Sequence, residues 1–301
     1  MAEMSASSTI GIITVTYNSG GVIDDFLTSL LAQTYENFVL YVVDNASEDD
    51  TLRRISRFPD PRIFIFANPD NNGVAAGNNQ GIEAALEYGC GAVLLLNNDV
   101  EFSSEMLTAM VSGIVDQDGD LLVPKIFFHD QPDIIWCAGG YFNPWQAFAG
   151  MHYGMGEPDR GQYDVTRRVT YSPTCCMLIR RSVFEKIGLM DSRYFVYYDD
   201  TDFCFRAMKA GLRLVYLPQA TLLHKVSSLT GGDAAPFTIR YMVRNRVYYI
   251  RKNLCWWLQL PCLFFCQARY AMRLLLRQDS LQIFVLRERS FFQGLAMPVD
   301  R

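Results

Sequence analysis

Ala92-Val93-Leu94-Leu95-Leu96-Asn97-Asn98-Asp99 is the stretch that decides how this chain is read. Five apolar residues follow Gly91 and give way to three polar ones, the pattern of a strand buried on both faces of a parallel sheet. Such a strand carries two amides and a carboxylate to the carboxyl edge of the sheet, where open α/β folds bind ligands. Three oxygen-bearing side chains there suit a hard divalent cation holding a phosphorylated ligand. The tripeptide fits equally well a polar turn that merely ends a strand, so the flanking sequence has to discriminate.

Toward the amino terminus the same pattern repeats. Ile10-Gly11-Ile12-Ile13-Thr14-Val15-Thr16 is rich in β-formers and ends in the turn cluster Tyr17-Asn18-Ser19-Gly20-Gly21. Ile23, Phe26, Leu27, Leu30 and Leu31 then recur at helical spacing. Phe38 to Val43 reads as a second strand ending in Asp44-Asn45-Ala46-Ser47, residues 49–58 as a helix, and Ile63 to Ala67 as a third strand. Asn71-Asn72-Gly73 opens a loop, and the small-residue stretch from Val74 to Tyr88 reads as a helix. The order βαβαβαβ predicts a parallel sheet with right-handed crossovers. Asn18, Asp44, Asn72 and Asn97 then gather at one edge of it.

Beyond about residue 120 the strand candidates shorten, at 121–128, 169–172 and 176–179, with aromatic loops between them. A helix is expected over 201–210, stopped by Gly211, with Asp202 and Arg206 as a surface i,i+4 pair. Leu214 to Leu217 reads as a strand, with Pro218 after it.

Composition narrows the function. The chain has 301 residues, 50% hydrophobic and 20% charged, enough for a sizeable core. A net charge of −5 argues against a nucleic-acid partner. The 8 cysteines show no C-x-x-C pairs, which argues against zinc and for reduced thiols in a cytoplasmic setting. The polar stretch from Met1 to Thr9 lacks a signal-peptide core, and no run approaches the roughly 20 apolar residues of a membrane span.

Four groups of residues carry chemistry. The Asp44 carboxylate can accept hydrogen bonds from a base or a ribose hydroxyl, although Ser47 or Asp49 could simply cap a helix. In Asn72-Gly73-Val74-Ala75-Ala76-Gly77-Asn78 the glycines allow close approach of backbone to a ligand at a helix start; close helix–sheet packing would need the same small residues. Tyr197-Tyr198-Asp199-Asp200-Thr201-Asp202 places more acids at a helix start than capping requires, so one is a candidate general base. His224 is a candidate metal ligand only in the company of a cation and a diphosphate, since a lone histidine is more often structural. His129 and His152 have no comparable context and are read as structural.

In this order the motifs Val15-Thr16-Tyr17-Asn18, Val43-Asp44-Asn45-Ala46-Ser47, Asn72-Gly73 with Gly77-Asn78, Leu96-Asn97-Asn98-Asp99, Gly188-Leu189-Met190-Asp191 through Asp199-Asp200, and His224 resemble the family-2 inverting glycosyltransferases, particularly bacterial rhamnosyltransferase-like members. The resemblance spans about residues 8 to 250. It implies a GT-A-type, Rossmann-like α/β mixed sheet flanked by helices, with a C-terminal helical extension. It further implies a catalytic domain at 8–232, divided into a nucleotide-sugar half (8–100) and an acceptor half (101–232), followed by a helical segment at 233–301. By position, Thr16, Asn18, Asp44, Asn45, Ser47, Asn72, Gly73, Asn78 and Asn98 would bind the donor. Asn97, Asp99 and His224 would hold Mg²⁺ or Mn²⁺, Asp200 would be the base, and Trp136, Thr174 and Asp199 would lie on the acceptor side. The sequence departs from the family at Asn97, which stands where the first acid of the D-x-D motif is usual, and at Asp199, which replaces a glutamate. The donor implied is dTDP-rhamnose ahead of UDP-hexoses.

Arg240, Arg244 and Arg251 share one face of a helix expected over 237–253, with Tyr241 and Tyr248 beside them. The apolar run from Leu254 to Cys266, broken at Pro261 and followed by Arg269, Arg273 and Arg277, suits a helix in a membrane interface; an ordinary packed helix or a dimer contact fits it equally. The resemblance implies a glycan or polyprenyl-diphosphate-linked acceptor and a peripheral place on the inner face of the cell membrane. Two other readings stay open. A nucleotidyltransferase usually has a basic glycine-rich loop, and 17–21 has no Lys or Arg. A non-catalytic sugar-binding module would be consistent with Asn97 but leaves Asp99, Asp200 and His224 without a role.

Overall fold

The computed structural model describes residues 8–226 and 235–299. The expectation about a leader, and the boundary between residues 232 and 233, fall largely or wholly outside the described residues. The first half alternates as read from the sequence: β1 (Ile10–Thr16), α1 (Ile23–Leu31), β2 (Phe38–Asn45), α2 (Thr51–Ile55), β3 (Ile63–Asn68), α3 (Val74–Tyr88) and β4 (Ala92–Leu96). Then come β5 (Val100–Phe102), α4 (Met106–Asp116), β6 (Leu121–Phe128), β7 (Gln131–Cys137), β8 (Gly140–Asn143) and β9 (Ala149–His152). β10 (Arg167–Val169), β11 (Cys176–Arg180), α5 (Arg181–Ile187), α6 (Asp199–Lys209) and β12 (Leu214–His224) follow. Three helices end the described chain: α7 (Pro236–Asn253), α8 (Trp256–Leu275) and α9 (Leu281–Ala296).

β4, β1, β2 and β3 lie side by side and parallel. β11 then pairs antiparallel with both β4 and β6, and β12 runs parallel to β6, so the sheet as a whole is mixed. The reason for the unbroken apolar run at 92–96 is that both faces are covered. Val93 and Leu95 enter the cluster that contains α3, α6 and α7, whereas Ala92, Leu94 and Leu96 enter the one with α1 and α4. α3 lies tight on β1 because its glycines leave room: a Cβ on Gly77 would come within 2.9 Å of Val15, and one on Gly81 within 2.4 Å of Ile13.

Three expectations need correction. Pro218 does not end its strand. β12 continues to His224 because a register irregularity between Leu217 and Thr221 removes the proline from the ladder. Asp202 and Arg206 do pair at 2.8 Å, but Asp202 is fully buried and the pair is no surface ornament. Pro261 does not break the C-terminal run, which continues through it as α8. The proline stands near the start of the helix, where it forfeits one bond, to the carbonyl of Trp257.

α7 is packed into the core through Val243, Val247, Tyr248 and Ile250. α9 approaches it so closely that a Cβ on Gly294 would sit 2.3 Å from the Arg244 carbonyl oxygen. At Gly81, overpacking against Ile13 should outweigh any gain in helix propensity. Gly81→Val is expected to lower stability by about 1–3 kcal/mol, read as a reduced urea midpoint at unchanged m-value.

Candidate active site

The carboxyl ends of β1 and β2 are joined by hydroxyl groups around one buried carboxylate. Thr16 Oγ1 donates to Asp44 Oδ1 at 2.7 Å, and Ser47 donates to the same carboxylate through Oγ at 2.5 Å and its amide at 2.9 Å. Asn18, in the left-handed region at φ 52°, accepts from the Glu48 amide at 2.8 Å. Asp44 is therefore held as an acceptor at the sheet edge.

Asn45 and Gly73 link this edge to the second half. Asn45 Nδ2 donates to the Gly73 carbonyl at 3.0 Å. Gly73 takes φ 83°, and a Cβ there would lie 2.4 Å from the Phe195 carbonyl oxygen. That oxygen accepts from the Val74 amide at 2.6 Å, so a loop carbonyl satisfies an open donor at the start of α3. Gly73 thus serves a close backbone approach, while Gly77 and Gly81 serve helix–sheet packing. Asn72 is exposed at this turn. Asn78 is buried, with Nδ2 3.7 Å from the Met190 sulfur.

The ends of β4 and β12 meet through backbone pairing. β5 pairs with the last residues of β12 in the register His224 opposite Val100, which sets Asp99 beside His224. His224 Nε2 lies 3.3 Å from Asp99 Oδ1. His224 Nδ1 is buried without a hydrogen-bond partner. Asn98 Nδ2 donates to the Val15 carbonyl at 2.7 Å, tying β4 to β1, and Asn97 is exposed with its backbone N–H bonded to the Cys175 carbonyl. No cluster of three His, Cys, Asp or Glu side chains that could hold a metal occurs among the described residues. The Asp99 oxygen and His224 Nε2, side by side, nevertheless fit a divalent cation whose other positions come from a ligand's oxygens.

The candidate base sits behind a run of irregular backbone. Phe195 (φ 64°, ψ −60°), Tyr197 (φ 63°) and Tyr198 (φ 68°) all occupy positive φ. The Val196 amide returns to the Tyr194 carbonyl at 2.8 Å, closing a γ-turn of the strained kind on an aromatic residue. Each such residue costs about 1–3 kcal/mol, and such strain clusters at functional sites. Immediately after it, α6 starts with Asp199 and Asp200. Asp200 Oδ1 accepts from the Thr201 amide at 2.5 Å and hydroxyl at 3.0 Å, and Oδ2 accepts from Tyr171 at 3.1 Å. Burial raises both carboxyls above the ordinary range, and the neighbouring Asp200 pushes Asp199 further up.

A run of rings joins the two carboxylate sites. Trp136 lies edge-on between His224 (4.5 Å) and His152 (4.8 Å), and His152 stacks at 5.8 Å on Tyr171, whose hydroxyl reaches Asp200. Burial lowers the His152 imidazole to about 4, so it is neutral near pH 7; its Nδ1 donates to the Trp136 carbonyl at 3.1 Å. Thr174 is buried, next to the Cys175 carbonyl that holds Asn97. Tyr171, His152 and Phe195 were not identified from sequence as site residues. Only the aromatic composition of the second half hinted at them.

Residues 11–188 match Glycosyl transferase family 2, and residues 122–290 match Glycosyl transferase family group 2. The chain belongs to glycosyltransferase family 2, and the transferase class of enzyme follows from that membership. It is 26% identical over 275 residues to an N-acetylglucosaminyl-diphospho-decaprenol L-rhamnosyltransferase of Mycobacterium tuberculosis, covering 82% of this chain and 85% of the relative. The dTDP-rhamnosyl transferase RfbF of Shigella flexneri is 23% identical over 255 residues, covering 82% of this chain and 81% of its own. Among solved structures, GalNAc-T7 with UDP, GalNAc and Mn²⁺ superposes with a TM-score of 0.68 at 15% identity, across 96% of this chain and 56% of that one. A mannosyltransferase from Pyrobaculum calidifontis with GDP-Man and Mn²⁺ gives 0.59 at 14% identity, across 96% and 87%. These likenesses establish the fold as GT-A: a central mixed sheet flanked by helices.

The raised carboxyls have a consequence for stability that needs no substrate. An acid whose folded pKa lies above its unfolded value of 3.8 makes the native state bind more protons, so stability falls as pH rises from that value toward neutrality. Asp199→Asn removes this loss. Its melting temperature relative to the parent should increase steadily between about pH 5 and about pH 8, and a constant difference across that range would contradict the argument.

Proposed function

We propose that this enzyme moves a sugar from a nucleotide-sugar to a hydroxyl of a glycan or polyprenyl-diphosphate-linked saccharide, by one inverting displacement with Asp200 as base. The observation that carries the reading is the contact of Gly73 and Val74 with Phe195, which couples the donor-side turn to the loop that delivers Asp200. In this reading residues 8–100 hold the donor, 101–232 the acceptor, and 233–301 form the helical extension.

Asp44, with Thr16 and Ser47 bonded to it, accepts from the nucleoside, and Asn18, Asn45, Asn72, Asn78 and Asn98 border the donor. Asp200 takes the proton of the acceptor hydroxyl as that oxygen bonds to the anomeric carbon, and the bond to the nucleoside diphosphate breaks. Thr201 and Tyr171 orient the carboxylate, leaving lone pairs for the incoming hydroxyl. Asp99 and His224 would hold a Mg²⁺ or Mn²⁺ ion, with the Asn97 amide as a neutral third donor. Such an ion supplies Lewis-acid stabilisation of the diphosphate charge. With one anion fewer than a D-x-D site, the affinity for the ion is lower. Trp136, Thr174 and Asp199 lie toward the acceptor. The two rhamnosyltransferase relatives support a rhamnosyl donor, dTDP-rhamnose, and the mycobacterial one supports a lipid-linked acceptor.

A lipid-linked acceptor would bring the protein to the inner face of the cell membrane, and α8 supports that placement. No described helix is long and apolar enough to cross a membrane. Yet Trp256, Trp257, Leu260, Phe264, Met272 and Leu275 are all exposed along α8. Residues 235–299 contain ten Arg or Lys against two acids, Asp279 and Glu288, although the whole chain is acidic. An apolar stripe in basic surroundings suits an anionic membrane interface.

Three measurements test this. Asp200→Asn should lower the release of nucleoside diphosphate by about 10²–10⁴-fold at unchanged folding, and near-parental turnover would remove the base. Excess chelator should suppress the parent's turnover, and full activity in its presence would remove the ion. Trp257→Ser with Leu260→Ser and Phe264→Ser should abolish flotation with vesicles containing anionic phospholipid while the melting temperature holds; unchanged flotation would refute the membrane face. Substitution is preferred to truncation because α8 and α9 share the core with α7.

A further inference from the structure

The strained stretch before the acids has an external support. Five successive carbonyls, from Arg193 to Tyr197, all accept hydrogen bonds from outside the stretch. Arg244 Nη2 donates to Arg193 at 2.9 Å and to Tyr194 at 2.8 Å. Asn245 Nδ2 lies 2.8 Å from the Tyr194 carbonyl, 2.7 Å from that of Val196 and 2.8 Å from that of Tyr197. Phe195 is taken by the Val74 amide at 2.6 Å. Asn245 is fully buried, and its Oδ1 accepts from Arg244 Nε at 2.8 Å, which fixes the amide with its nitrogen toward the loop. The Phe195 ring stacks on Tyr241 of the same helix at 5.1 Å.

The helix also grips the chain on both sides of this stretch. Before it, Asp191 accepts from Tyr248 at 2.9 Å and from Lys252 at 2.8 Å. After it, Asp202 accepts from Lys252 at 3.0 Å and from Asn253 at 2.8 Å. Tyr197 and Tyr198 carry their positive φ directly into Asp199. A backbone held in that conformation sets where α6 begins and which way its first carboxylates point.

We infer that Asn245, seconded by Arg244, is a positioning residue for the transfer reaction: it holds residues 193–197 in the conformation that presents Asp200. Asn245 touches neither substrate nor Asp200, and its effect passes through the loop backbone. This inference rests on Asp200 as the base.

The test compares three variants of the full chain at matched folding. Asn245→Asp keeps the shape and removes the donors, and should lower kcat by about 10–100-fold with KM for the nucleotide-sugar changed less than about twofold, since misplacement by an ångström costs about that much. Val247→Ala cuts into the same helix where it packs on Gly294 of α9 and makes no hydrogen bond to the loop, and should lower the melting temperature while leaving kcat in place. Equal kcat for the two variants at equal melting temperature makes Asn245 merely structural and overturns the proposal. Should Asn245→Asp not fold, Arg244→Gln, half-buried on the same turn, takes its place, with the same two outcomes. Asp200→Asn, measured in parallel, keeps the two ideas apart. If it remains active the base is wrong, whereas if it is inactive and Asn245→Asp turns over at the parental kcat, only the positioning role falls.

Discussion

The amide of Val74 donating to the carbonyl of Phe195 is the bond on which the arrangement of this enzyme depends. It joins the start of α3, a feature of the parallel half of the sheet, to the loop that precedes α6. It requires a glycine at 73, because any side chain there would collide with the oxygen that accepts the bond. Without it, the sheet edge formed by Thr16, Asp44 and Asn45 and the carboxylates of α6 would belong to two separately placed segments.

The acidic groups near the site are managed in two ways. Asp202 is buried and fully satisfied, by Arg206, Lys252, Tyr194 and Asn253, and serves as an internal fastening between α6 and α7. Asp199 is buried and Asp200 half-buried, with no basic side chain bonded to either in the described structure. Desolvation therefore raises their affinity for protons, which is the property a base needs. One short acidic sequence thus holds an acid paired with cations and two acids without them, all within the first turn of α6.

Much of the fold was legible from pattern. Continuous apolar runs ending in amides and acids marked β1, β2 and β4, because strands covered on both faces cannot alternate polar and apolar residues. The spacing of Ile23, Phe26, Leu27 and Leu30 marked α1. Legibility failed where tertiary context overrode a local rule. Pro218 reads as a stop, yet β12 skips it. Asp202 and Arg206 have the spacing of a surface pair, yet α7 covers Asp202. Within the site, the chemically capable residues were legible as types and positions; Tyr171 and His152 were not, since nothing in their neighbourhoods distinguishes them from core aromatics.

By itself the sequence determined the order of elements over the first hundred residues and which polar side chains stand at the ends of those strands, because hydrophobic period and turn chemistry are local. Only the tertiary structure decided that His224 meets Asp99, since that depends on the register of β12 against β5, across more than a hundred residues of chain. It also decided the conformation of residues 195–198. No glycine announces a left-handed backbone there, and three aromatic residues adopt it because the donors of α3 and α7 leave the intervening carbonyls no better place to go.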